Sequence, residues 1–194
     1  MYLFFDTETN GLPANYKAPM SDTENWKRVI QLAWAFYDEE KNLIAKEVDL
    51  IKPTDWEIPN EKFWLDNGYS TELNIKNGIP IEEAFNKFMP YLKKCKYIVA
   101  HNMSFDYNIL GCEMIRLKLK SNNKPIKLCT KEASTEFCAI PNPYYKGSFK
   151  WAKLEELHNK LFGKGFEGAH DAMNDVMALQ RCFFELVKLK VIKL

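Results

Sequence analysis

Tyr2-Leu3-Phe4-Phe5 is an unbroken apolar run that passes directly into Asp6-Thr7-Glu8-Thr9. A run of this kind, with no polar alternation, belongs to a strand covered on both faces, so it predicts a central position in a sheet with layers packed above and below. The far end of that strand carries acids. Asp6 and Glu8 stand at i and i+2, and in an extended chain both side chains leave from one face, close enough to share metal ions. On a solvated strand edge such a pair is ordinary. On an interior strand two uncompensated carboxylates cost roughly several kcal/mol each, and the pattern therefore predicts a strand that opens into a site.

The remaining chain supplies the layers. Arg28 to Tyr37 and Leu43 to Lys52 are strand-like, and the polar turn Asp38-Glu39-Glu40-Lys41-Asn42 between them predicts a hairpin that extends the first strand into an antiparallel meander. Pro53 to Gly78 is loop-rich with a short helix over Asn60 to Leu65. Pro80 opens a helix with Ala84, Phe85, Phe88 and Leu92 on one face. Tyr97 to Ala100 predicts a fourth strand, with Ser104 as N-cap of a helix to about Lys118, and Ile126 to Thr130 a fifth. Ala139 to Ser148, rich in Pro, Tyr and Gly, has no assignable period. Two helices close the sequence, Trp151 to Phe162 and Asp171 to Lys188. Antiparallel strands followed by strand-helix units predict an α/β, ribonuclease H-like fold: a mixed five-stranded central sheet with helices on both faces. A length of 194 residues suits one domain over 1–194.

Composition excludes some partners and permits others. A formal net charge of +1 provides no broad basic field for nucleic acid, although an enzyme that grips only the end of a strand needs few phosphate contacts. The five scattered cysteines form no C-x-x-C pair and are expected to be reduced, mostly buried thiols. No apolar stretch is long enough to span a bilayer, and the start of the chain has no basic flank, which predicts a soluble cytoplasmic protein without membrane contact.

Two further motifs carry polar chemistry. His101-Asn102-Met103-Ser104-Phe105-Asp106 follows the fourth strand and places Asp106 in the first turn of a helix, where the helix dipole favours an anion. An ordinary first-turn acid is the competing reading, and His101 is equally a candidate for a structural histidine. Asn102 can orient the site through hydrogen bonds. His170-Asp171-Ala172-Met173-Asn174-Asp175 opens the last helix, and Asp175 shares a stripe with Ala172, Leu179, Cys182 and Leu186 that should face the protein body. Asp171 is expected to be an N-cap. His170 follows a stretch containing Gly163, Gly165 and Gly168, so it is either a mobile base or a surface loop histidine; His158, in mid-helix, is expected to be structural. Carboxylates gathered in one cleft need cations, hard oxygen donors select magnesium or manganese, and a nearby histidine takes a proton from water near neutral pH. The set therefore points to phosphodiester cleavage. Lys146, Lys150 and Lys153, interleaved with Tyr144, Tyr145, Phe149 and Trp151, are the makings of a single-strand platform, with core or solvated surface as the competing reading.

Taken together, Asp6-Thr7-Glu8-Thr9-Asn10-Gly11, Val29-Ile30-Gln31-Leu32-Ala33, Ala100-His101-Asn102 leading to Phe105-Asp106, and His170 with Asp175 resemble the DnaQ-like exonucleases of the DEDD type, in the subclass with a histidine in the third motif. The resemblance covers nearly the whole chain. It implies a 3′-to-5′ exonuclease acting on DNA or RNA ends, single-stranded by preference, and releasing nucleoside 5′-monophosphates. Asp6, Glu8, Asp106 and Asp175 would hold two Mg²⁺, with Mn²⁺ able to substitute, and His170 would be the general base. Thr9, Asn102 and Phe105 would touch the substrate. Asn10 stands where the family usually has a second threonine, and Met103 where it has a small residue; both departures bear on substrate preference. A catalytically inactive nucleic-acid- or partner-binding module on the same fold, and an endonuclease of the ribonuclease H or resolvase type, are the alternatives. DNA against RNA and oligomeric state are not encoded in these motifs.

Overall fold

The central strand forms where the apolar run predicts it. In the computed structural model, which describes residues 1–168 and 171–194, β1 (Tyr2–Thr9), β2 (Val29–Tyr37) and β3 (Leu43–Leu50) make the antiparallel meander. β4 (Tyr97–Ala100) and β5 (Ile126–Cys129) add in parallel on the other side of β1, giving the order β3-β2-β1-β4-β5. The α/β architecture is thus a mixed five-stranded sheet of the ribonuclease H-like kind.

Between β3 and β4 lie α1 (Lys62–Asp66), α2 (Thr71–Asn77) and α3 (Ile81–Leu92); α4 (Met103–Arg116) joins β4 to β5; and α5 (Thr130–Ala133), α6 (Thr135–Cys138), α7 (Leu154–Phe162) and α8 (Ala172–Lys188) follow. Strand alternation sends the side chains of β1 into two cores. Leu3 and Phe5 pack with Phe85 and Phe88 of α3 and Ile109 and Leu110 of α4. Tyr2 and Phe4 pack on the other face with Val176, Leu179 and Phe183 of α8. Phe4, Phe5, Phe85, Phe88 and Phe183 are fully buried, each contributing on the order of 1.5–3 kcal/mol. The predicted two-sided cover is present.

Several local expectations are corrected. The helix after β4 begins at Met103 with Asn102 at its N-cap, and Ser104 is an exposed helical residue. The expected loop of 53–78 contains α2 as well as a short helix, because Ser70 accepts a hydrogen bond from the Leu73 N–H and caps it. Trp151 to Lys153 lies outside the helix, with Lys153 extended at its N-cap, and α7 starts only at Leu154. The Ala152 carbonyl is bonded to His101 Nε2 at 3.0 Å, and the Lys153 N–H donates to Glu156 at 2.8 Å, so the backbone there is committed outside a helix. Thr130 opens α5 instead of ending β5. Gly163, at φ 73°, ends α7 in the left-handed conformation that glycine adopts without strain.

Candidate active site

The same alternation that divides the core assembles the site. Asp6 and Glu8 have the parity of Tyr2 and Phe4, so they face α8, and α8 carries Asp175 in its first turn. One carboxylate oxygen from each of Asp6, Glu8 and Asp175 lies within 4.8 Å of the others. Thr7 has the opposite parity and faces α4. Its hydroxyl donates to Asp106 Oδ1 at 2.7 Å, so the fourth acid approaches from the other layer. Space for it exists because β4 pairs with β1 only as far as Phe4↔Val99, leaving the α4 N-terminus beside Asp6.

Electrostatics explain what this arrangement needs. Burial drives the Asp6 carboxyl well above its ordinary range, with the neighbouring Asp106, Glu8 and Asp175 charges pushing the same way. Burial, then Asp175 and Asp106, push Glu8 up to about 8. Asp106 is pushed up to about 7 by burial, against the Thr7 hydroxyl and the charge of Lys131, which favour its anion. Among the described residues, no lysine or arginine pairs with Asp6 or Glu8. Clustered hard oxygens, with Asp6 and Glu8 short of a cationic side chain, are the donor set that divalent cations such as Mg²⁺ or Mn²⁺ accept, and the residues present fit such ions.

Of the other predicted residues, Asp171 is the N-cap of α8, accepting from the Met173 and Asn174 N–H groups. Asn102 lies beside the cluster, its Oδ1 accepting from Lys131 Nζ at 2.6 Å, which leaves the amide N–H groups as donors. Thr9 spends its hydroxyl on the Gly11 carbonyl and its own carbonyl on Trp64 Nε1. Phe105 is half-buried against Trp26 and Tyr16. His101 is structural: its ring bridges Thr130 Oγ1 and the Ala152 carbonyl, and burial lowers it to about 4. His158 is likewise buried, with Nδ1 bonded to the Lys164 carbonyl. His170 lies outside the described residues.

Two supporting residues are not singled out by the sequence motifs. Thr7, between the paired acids, fixes Asp106 as described. Gln31, buried in the otherwise apolar β2, accepts from the Tyr69 hydroxyl at 2.8 Å and from the Ala172 N–H at 2.9 Å. That second bond ties the start of α8, and hence Asp175, to the sheet next to Glu8, whose register partner is Gln31. A lone amide inside an apolar strand was the available signal.

The family model of the RNase T exonuclease domain matches residues 3–183. The chain belongs to the RNase T exonuclease family. In that family the DnaQ-like, ribonuclease H-like fold is expected, and solved structures agree. E. coli exonuclease I in complex with a dT13 oligonucleotide is similar with a TM-score of 0.71 and 23% identity, over 96% of this chain and 40% of that one. The zinc-bound form of the E. coli exonuclease I complex with single-stranded DNA gives 0.70 and 23%, over 97% and 40%. Exonuclease I in its apo form gives 0.71 and 20%, over 98% and 43%. The likeness is one of fold, and this RNase T-family chain spans about two-fifths of the length of the exonuclease I chains it matches. Comparison with curated proteins gives no match.

Proposed function

We propose that residues 1–194 form one exonuclease domain that removes nucleoside 5′-monophosphates from the 3′ end of a nucleic-acid strand, in a reaction dependent on two divalent cations. The observation that carries this reading is the convergence of Asp6, Glu8 and Asp175 within 4.8 Å, half-buried, with Asp6 and Glu8 paired to no lysine or arginine among the described residues. Asp6, Glu8, Asp106 and Asp175 would hold Mg²⁺, or Mn²⁺ in its place, and the bound ions would supply neutralising charge and Lewis acidity at the scissile phosphate. His170 takes the proton from the attacking water. The Asn102 amide, Thr9 and Phe105 orient the terminal nucleotide, Phe105 by packing on its base or sugar. The single-stranded DNA and the zinc ion named for the solved exonuclease I complexes support a strand end as substrate and a divalent ion as cofactor. Free thiols at all five cysteines favour a reducing compartment such as the cytoplasm, and among the described residues no helix is long and apolar enough to cross a membrane.

The test is digestion of 5′-labelled linear and circular single strands, in DNA and in RNA, with Mg²⁺, with Mn²⁺ and with chelator. Stepwise shortening of linear strands to mononucleotides, lost on chelation, is expected, with circles intact. Cleavage of circles would identify an endonuclease, and binding without shortening an inactive module.

A further inference from the structure

Among the described residues the three most exposed aromatic side chains lie on one ribbon between α6 and α7: Tyr144 at 87%, Tyr145 at 71% and Trp151 at 62%. The ribbon is ordered by its own bonds. Pro141 and Phe149 form an antiparallel bridge, and the Tyr144 and Tyr145 N–H groups donate to Asn142 Oδ1 at 2.9 and 3.3 Å. Trp151 is anchored still more firmly. Its neighbour Ala152 is buried, with its carbonyl held by His101, and Lys131 Nζ sits 4.5 Å from the indole centroid. The same ammonium donates to Asn102 Oδ1, and the Asn102 carbonyl accepts from the Asp106 N–H at 3.1 Å. The exposed indole is therefore one lysine away from the residue that starts the acid-bearing helix.

Chemistry narrows the occupant. A ring held at its base but open to water is useful to a flat apolar partner, and the accompanying charges are cationic: Lys131, with Lys146 and Lys153 exposed, while Lys150 is taken up by Glu156 at 2.6 Å. Rings interleaved with ammonium groups match unpaired bases on a phosphate backbone, since every base has a stacking face and every phosphate a negative charge. We propose that Trp151, with Tyr144 and Tyr145, is a stacking platform for the unpaired bases that precede the 3′ end. The inference rests on the exonuclease reading for the direction of the strand. Bases in a duplex are already stacked on each other and cannot use the platform.

The test compares the full chain with Trp151→Ala and Trp151→Phe on two substrates: a single strand of roughly fifteen thymidines, within reach of a stacking groove, and the p-nitrophenyl ester of thymidine 5′-monophosphate, which has no second base. Relative to the ester, kcat/KM on the strand should fall on the order of tenfold in Trp151→Ala and recover in Trp151→Phe. Binding of the labelled strand to the metal-free protein, followed by anisotropy, should weaken and recover in parallel. Strand binding and a strand-to-ester kcat/KM ratio both indifferent to Trp151 overturn the platform while leaving the exonuclease reading standing, as does an equal loss on both substrates. A wild-type protein that hydrolyses neither substrate, yet binds the strand through Trp151, keeps the platform and overturns the exonuclease reading.

Discussion

Helix α4 carries two buried acids, and they are treated in opposite ways. Glu113, with no exposed surface, accepts on one oxygen from Arg28 Nε and Arg116 Nη1, both at 2.9 Å, and from the Val29 N–H at 3.3 Å. Asp106, two turns earlier, accepts a single side-chain bond from Thr7 and stands among three further carboxylates. The first acid has its cations built into the fold, where it links α4 to the start of β2. The second belongs to a group in which Asp6 and Glu8 have no lysine or arginine partner among the described residues, and in the proposed function cations from solution supply that charge. Buried charge left short of internal partners is a poor structural device and a good binding site, because an uncompensated carboxylate raises the affinity for any cation that fits.

This contrast predicts different penalties for loss. Removing a ligand from the external-cation group should destroy activity without unfolding the chain: Asp6→Ala is expected to lower kcat by roughly 10³-fold or more, at or beyond the scale for losing one electrostatic stabiliser, while thermal melting in chelator is unchanged or raised. Normal turnover by a folded Asp6→Ala protein would remove Asp6 from the mechanism. Glu113→Ala should do the reverse. It removes the shared partner of two largely buried arginines, leaving Arg28 only the exposed Asp55 and Arg116 the Thr23 and Trp26 carbonyls, with a cost near the low end of roughly 3–5 kcal/mol in denaturant unfolding, and the molecules still folded should retain turnover. A kcat loss comparable to that of Asp6→Ala would place Glu113 in the site and erase the distinction.

Smaller effects sharpen it. His170→Ala should reduce kcat by about 10²-fold while leaving metal-free stability unaltered, as measured by single-turnover digestion and melting. The pH dependence of metal-free stability should also reveal the strained group. The folded-state values of Asp6, Glu8 and Asp106 are raised, so their contribution is fully present below the ordinary carboxylate range and is lost as pH rises toward about 8 for Glu8 and about 7 for Asp106. Melting in chelator should therefore decline with pH across that window more steeply in wild type than in Asp6→Asn, by up to about 1.4 kcal/mol per pH unit for each proton retained only by the folded state. Added Mn²⁺ should flatten the difference. A parallel pair of curves in chelator would contradict the assignment.

How much of this was legible beforehand follows from the range of each interaction. The central strand, the hairpin and α3 were legible because burial writes itself into apolar runs and periods. Asp6, Glu8 and Asp175 were legible from a strand parity and a helical stripe. Helices α5 and α6, four residues each, are too short to show a period. α2 was hidden because its one buried side chain is Asn74, whose amide donates to the Ile30 and Ile51 carbonyls across the fold. The extended start of α7 and the support from Thr7 and Gln31 depend on partners 51, 99 and 141 residues away, and no local pattern encodes such pairings.

The most direct measurement is calorimetric titration of Mn²⁺ into the metal-free full chain near pH ~7, in two buffers that differ in ionisation enthalpy, with Asp6→Ala alongside. Saturable uptake of two ions with release of protons, lost or sharply weakened in the variant, is the expected result. Absence of saturable uptake, or uptake that is the same without Asp6, would contradict a site built from acids that need cations from outside.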